Sequence, residues 1–444
     1  MKKKLSFSTC LSLLFILFFL ARCSSPSGGD SAEPAPAPEP EPKNPLTVTD
    51  LLAAPAIYGG EITLSWTNPA MDEFDGVEIS ASPAEGSLST PQIVAKLETS
   101  YKVNGLTNKT PYTFSVRTLD ASGGRGEVVS QTGTPADTRG KGLYSGSSPT
   151  PESIASFTLT SAIDWLKRNA QTNTEYLIVL DQNQKAGAIK LDASVLNGKS
   201  DIGITIRGEK TNCTITMTGI NLGPLFTINA RNKLVLDENI TLQGGKNNNS
   251  LVLVQDLGTF VMKGGVIRDN ANTNTGSGGV TVNIGGLFIM EDGTITNNTT
   301  NSYGGGVLVE GGTFTMKGGA IRGNISDFYG DGACIRRPNS ATGKTTGTLT
   351  MSGSARIDII GLYNSNPGYS SVDIAGSFTG ADTIARIDLA GESTIASWRN
   401  LLVLKRADGY TGPLSEKRFV LGKDRAKDPI KGYHIESDGT LRQN

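Results

Sequence analysis

From Gly258 to Met351 apolar and polar residues alternate in short runs divided by glycines. The clearest stretch, Gly304 to Asn324, holds three such runs: Val307 to Glu310, Thr313 to Met316 and Ala320 to Arg322. Alternation at period two marks half-buried strands, and paired glycines mark tight corners. Three strands and three corners in so short a stretch make one coil of a solenoid, which needs near-copies on either side to bury its inward side chains. The copies are present. Gly258 to Met262 with Val266 to Asn270, and Gly286 to Met290 with Thr294 to Asn298, align on Gly312 to Met316 with Ala320 to Asn324, at spacings of 28 and 26 residues. A looser copy, Gly347 to Met351, follows an insertion. Phe226 to Asn229, Lys233 to Leu236 and Ile240 to Gln243 form a coil upstream, and Arg386 to Leu389 and Leu401 to Lys405 continue the strand pattern downstream.

Period two assigns the faces. Phe260, Phe288, Phe314 and Leu349 fall in one column, Met262, Met290, Met316 and Met351 in another, and Ile267, Ile295 and Ile321 in a third. With coils about 4.8 Å apart, each column becomes an apolar ladder inside the tube. Asn270, Asn298 and Asn324 also align and are expected to form an amide ladder at a corner, each donating to the next. The same alternation turns Val261, Leu287 and Ile289 outward, continued by Thr313 and Thr315. This strip is either covered by a neighbouring element or is an adhesive face for a partner.

Ahead of the coils, Ser161 to Arg168 has a helical period with Ile163 and Leu166 on one side and a Ser161-x-x-Asp164 start. Followed by the strand Tyr176 to Leu180, it is expected to cover the open end of the stack. Between Leu46 and Ala136 the pattern changes to seven short strands. Ile62 to Trp66 alternates with Trp66 inward, Val77 to Ile79 follows, Tyr112 to Val116 alternates again, and Gly105-Leu106 stands just ahead of Tyr112. These residues resemble a fibronectin type III domain with its tyrosine corner, a family that implies a spacer or protein-binding role. Arg125-Gly126-Glu127 stands where some members carry Arg-Gly-Asp, and is read as an ordinary charged turn.

The chain opens with Lys2 to Lys4 and an apolar run from Leu11 to Ala21, short for a membrane span and typical of a signal-peptide core. Leu20-Ala21-Arg22-Cys23 resembles a bacterial lipobox, with Arg22 where the family has a small residue. The resemblance implies lipidation at Cys23, membrane attachment through that lipid and a bacterial envelope location, outer membrane or cell surface; an ordinary secretory peptide cut elsewhere is the alternative. Ser24 to Pro45 passes from Gly/Ser-rich to proline-rich, and about ten such prolyl-type residues in extended geometry span roughly 30 Å.

Composition narrows the chemistry. With 41 basic and 42 acidic residues, nothing favours a nucleic-acid partner. A single histidine, His434, rules out a His pair or His-rich metal site, and no cofactor or metal is expected. Cys213 and Cys334 lie in different coils without metal-ligand spacing and are read as free and packed.

The repeated G-x-F-x-M-x-G-G-x-I-x-x-N resembles the right-handed parallel β-helix of bacterial surface proteins, and the capping helix resembles that of tethered lipoproteins with such a helix. Pectate lyases and polygalacturonase-like hydrolases share this fold. The hydrolases use a cleft histidine, but His434 lies outside the repeats. Lyases use acidic calcium ligands and an arginine base, for which Asp327 and Asp331 with Arg336 or Arg337 are the candidates. With Phe328 and Tyr329 these residues are placed in or beside the insertion between coils, where binding sites tend to be built. The expected fold is all-β: a fibronectin type III β-sandwich plus a right-handed parallel β-helix with a short N-terminal capping helix. The expected division is signal segment 1–23, tether 24–45, type III-like domain 46–136, linker 137–152 and β-helix with terminal caps 153–444. The expected function is non-enzymatic display for binding a glycan or protein, with a polysaccharide lyase and an envelope spacer as alternatives.

Overall fold

The computed structural model describes residues 46–56, 59–209, 212–219, 223–247, 249–336, 346–364, 370–380, 382–391, 398–424 and 426–444. Cys23 and Arg337 therefore lie outside the described residues.

The first unit is a two-sheet sandwich. Thr49–Pro55, Glu61–Thr67 and Ser100–Asn104 form one sheet, and Gln92–Ala95, Phe74–Ser82, Tyr112–Asp120 and Arg125–Gly133 the other, all antiparallel. Alternation buries Ile62, Leu64 and Trp66 against Ile79, Phe114 and Val116. The Tyr112 hydroxyl accepts from Thr107 N at 3.0 Å, tying the corner Gly105-Leu106 to the strand as the sequence pattern implied. Arg125 opens the last strand and is ion-paired with Glu78 at 2.9 Å, so it is part of the sheet surface rather than a free turn.

The second unit is a parallel β-solenoid built from three long sheets. The Phe/Met sheet stacks Lys233–Leu236, Thr259–Met262, Leu287–Met290, Thr313–Met316 and Thr348–Gly353; the Ile sheet stacks Ile240–Gln243, Val266–Arg268, Thr294–Thr296 and Ala320–Arg322; the Val sheet stacks Val252–Val254, Val280–Asn283, Val307–Glu310, Ala333–Arg336, Ile359–Asn364 and Ala385–Gly391. Phe260, Phe288, Phe314 and Leu349 pair in register, as do Met262, Met290, Met316 and Met351, and all are fully buried. The rings stack at 5.1 and 4.5 Å between centroids, close to the strand spacing that forces them together. Ile267, Ile295 and Ile321 form the third column.

The asparagine ladder is built at the corner. Asn270 N donates to Asn298 Oδ1 at 3.2 Å, Asn298 N donates to Asn324 Oδ1 at 3.0 Å, and Asn298 Nδ2 reaches Asn324 Oδ1 at 3.1 Å. It stops at Asn270, whose Oδ1 faces Gly244 and has no hydrogen-bond partner among the described residues. Past this corner each coil adds a strand of two residues (246–247, 271–272, 299–300, 325–326), too short to show a period in sequence.

Both ends of the stack are closed. The helix Leu159–Asn169 packs Leu159, Ala162, Ile163 and Leu166 on the first coils. Its cap is Thr158, whose Oγ accepts from Ser161 N, and not Ser161 itself; Asp164 pairs instead with Lys167 on the exposed side. At the other end the hairpin Tyr433–Ile435 with Leu441–Gln443 lays Leu441 on the core. Within the segment expected as linker, Gly142–Ser145 forms a strand antiparallel to Glu175–Leu180 at the edge of the Phe/Met sheet. Nearby, Arg139 and Arg207 both grip Asp137, at 2.7 and 3.2 Å, with both guanidiniums largely buried. Burial alone raises the Asp137 pKa, but the Arg139 hydrogen bonds and the Arg207 charge outweigh it and hold the carboxyl below its usual range.

Candidate functional site

The loop singled out in the sequence is an ordinary coil corner, not the insertion. Asp327–Gly332 stacks on Asn301–Gly306 of the preceding coil through Asp327 N to Thr300 O, Phe328 N to Ser302 O and Gly304 N to Tyr329 O. The insertion begins after Arg336. Both corners fold back over the outer face of the Val sheet, and the turn depends on Gly304 and Gly330, whose φ values are +66° and +70°. A Cβ on Gly304 would strike Val307 O, and one on Gly361 would strike the Gly330 backbone. This close approach buries Leu308 and Cys334, which alternation would otherwise turn to solvent.

The folded-back corners gather an aromatic cluster. Phe328 stacks on Tyr303 at 4.9 Å, Tyr329 lies 6.4 Å from the same ring, and Tyr363 meets its edge at 5.7 Å. The Arg336 guanidinium lies 4.5 Å from the Tyr303 centroid and 5.6 Å from that of Tyr363. Phe328 is 49% exposed, so the stack ends in an open aromatic surface. Burial first, then the neighbouring Tyr363, pushes the Tyr303 phenol up to about 12, which keeps it neutral.

The individual polar candidates take different roles from those a lyase would need. Arg336 is 6% exposed and ion-paired with Glu310 at 3.3 Å, so it backs the cluster instead of projecting from it. Asp331 Oδ1 accepts both the N–H and the hydroxyl of Ser326, each at 2.9 Å, and is committed to closing its turn. Asp327 is exposed, and its carbonyl accepts from Lys427 Nζ at 2.7 Å. Among the described residues no three His, Cys, Asp or Glu side chains are grouped to hold a metal ion. Cys213 and Cys334 are buried thiols; burial raises both, Cys334 to about 12, which leaves them unreactive at neutral pH. His434 sits on the terminal hairpin between Asn444 and Glu436.

On the outer face of the Phe/Met sheet, Val261 pairs with Ile289 and Leu287 with Thr313. Val261 is buried, while Leu287 and Ile289 are half-buried. The sandwich turn Leu106–Lys109 borders a cleft of about 700 Å³ at this side, whose other wall includes Arg207, Glu238, Lys263 and Glu291. Lys109 is ion-paired with Glu238 across it.

Sequence reasoning missed Tyr303 and Tyr363. Tyr303 had a signal, since it aligns with Tyr329 one coil on; Tyr363 joins only through the fold.

Residues 47–132 match the family model of the fibronectin type III domain. The chain thus combines such a sandwich with a parallel β-solenoid. Solved structures to which it is similar include the spore cortex lytic enzyme SleM of Clostridium perfringens, 20% identical over 20% of this chain and 28% of that one, TM-score 0.18. An FN3 domain of human collagen XX is 26% identical over 22% of this chain and 99% of that one, TM-score 0.17. The pectate lyase Pel3 of Pectobacterium carotovorum is 11% identical over 87% of this chain and 93% of that one, TM-score 0.18. Superpositions this loose carry no chemistry from one chain to the other. No curated protein matches the chain.

Proposed function

We propose that this chain is a lipid-anchored bacterial envelope protein that displays its β-helix as a non-enzymatic glycan-binding module. Cys23 is the anchor and the proline-rich tether holds the folded body off the membrane. The observation that carries the binding role is the half-exposed Phe328 ring stacked on a neutral Tyr303 and backed by a buried, ion-paired Arg336. An open aromatic face held rigid from behind offers an apolar surface to the C–H face of a sugar at little entropic cost. The lyase reading is disfavoured because Arg336 faces Tyr303 and Glu310, and because Asp331 is spent on its own turn. Phe328→Ala removes a stacking contact of about 1.4 kcal/mol, so retention on a polysaccharide panel should fall about tenfold. Calcium-dependent release of new chain ends would overturn the reading, and so would retention unchanged in the variant.

A further inference from the structure

Beside the aromatic cluster, a groove of about 590 Å³ runs along the corner between the Val sheet and the Phe/Met sheet. Its lining comes from four successive coils, about 14 Å along the axis. Two exposed aliphatic side chains stand in it, Leu257 at 56% and Ile284 at 46%. Around them are the amides of Asn229, Gln255 and Asn283 and the carboxylates of Asp256 and Glu310, with no lysine or arginine in the lining among the described residues. The Asn229 Oδ1 atom has no hydrogen-bond partner among the described residues. Glu310 links the groove to the aromatic cluster, since its ion pair is with Arg336 and Arg336 lies on Tyr303.

Leu257 is unexpected on backbone grounds. The turns Gln255–Gly258 and Asn283–Gly286 are closed by Gly258 N to Gln255 O and Gly286 N to Asn283 O, at 2.8 and 2.9 Å. The third residue is left-handed in both, at φ +59° for Leu257 and +73° for Gly285, and the next coil has Gly311 at +80°. Glycine takes this conformation freely and leucine does not. Arg231 takes the same position in the preceding coil, at φ +62°, so a side chain there is strained but tolerated, and that of Leu257 keeps over half its surface in solvent.

We infer that this groove extends the Phe328 site and binds a neutral, linear glycan lying along the solenoid axis. The inference rests on the glycan-binding reading above. Amides and carboxylates supply donors and acceptors for hydroxyl groups, and the aliphatics supply a surface for ring C–H groups. Glu310 is neutralised by Arg336, so among the described lining residues Asp256 is the carboxylate that repels uronate or sulfate groups.

The test is calorimetric titration of the full chain with neutral hexasaccharides (cellohexaose, laminarihexaose and mannohexaose) and with hexagalacturonate of the same length. One neutral hexasaccharide should bind at least tenfold more tightly than hexagalacturonate. Leu257→Gly should fold with a raised thermal midpoint yet bind that sugar at least fivefold more weakly. Hexagalacturonate binding in preference to every neutral sugar would overturn the inference and leave the glycan-binding reading standing. So would Leu257→Gly with unchanged affinity beside a weakened Phe328→Ala. Binding of no oligosaccharide, with Phe328→Ala retained like the parent on the polysaccharide panel, would overturn both.

Discussion

Truncating Asn298 to alanine tests whether the amide ladder holds the coils together or merely accompanies them. The Asn298 side chain is fully buried. Its Nδ2 donates to Ile267 O at 3.1 Å, Thr296 O at 3.0 Å and Asn324 Oδ1 at 3.1 Å, and its Oδ1 accepts from Asn270 N. Alanine leaves the Asn270 N–H without its acceptor, where water does not reach, and removes the Nδ2 bonds to the Ile267 and Thr296 carbonyls. At about 2 kcal/mol for the stranded N–H and about 1 kcal/mol for each of the two lost bonds, the cost is about 4 kcal/mol. That equals the deletion of a buried ring such as Phe288, so a polar ladder would rival an apolar one in holding the stack. Urea unfolding should show the loss, with Asn301→Ala, an exposed neighbour, changing stability by less than about 0.5 kcal/mol. Because each coil contacts only its neighbours, hydrogen exchange at the Asn270 amide should accelerate before that of distant coils. A variant within error of the Asn301→Ala control, with the Asn270 amide still protected, would refute the reasoning.

Two further outcomes are expected beside those for Phe328 and Leu257. Asp137→Ala strands two largely buried guanidiniums and should cost about 3 kcal/mol, read as faster proteolysis between Ala136 and Gly142. Because the folded Asp137 pKa is depressed, its contribution is present above the ordinary carboxylate range and is lost as pH falls through the folded value. The variant should therefore differ from the parent at neutral pH and converge with it in acid. Cys23→Ser should move the protein from the membrane to the soluble fraction of expressing bacteria, and an unchanged distribution would count against the lipid anchor.

The repeat, the three strands of each coil, the inward Phe, Met and Ile columns and the asparagine ladder were all legible in the chain before any coordinates. So was the type III sandwich, through Trp66 and the corner ahead of Tyr112. The reason is that every coil buries the same positions, so burial is written as a period. Outward positions carry no such constraint. Arg336 read as an exposed base, but Tyr303 and Tyr363, brought from neighbouring coils, cover it. The Asp327 corner read as part of an insertion, but Gly304 and Gly330 fold it and its predecessor onto the sheet. The groove at Leu257 and Ile284 has no linear signature, because its walls are short runs of one to three unlike corner residues from four coils. The inward half of each coil is thus determined by the sequence's own periodicity, since identical environments demand like residues. The surface that meets a ligand is decided only by tertiary structure, because it depends on which unlike corners the stacking brings side by side.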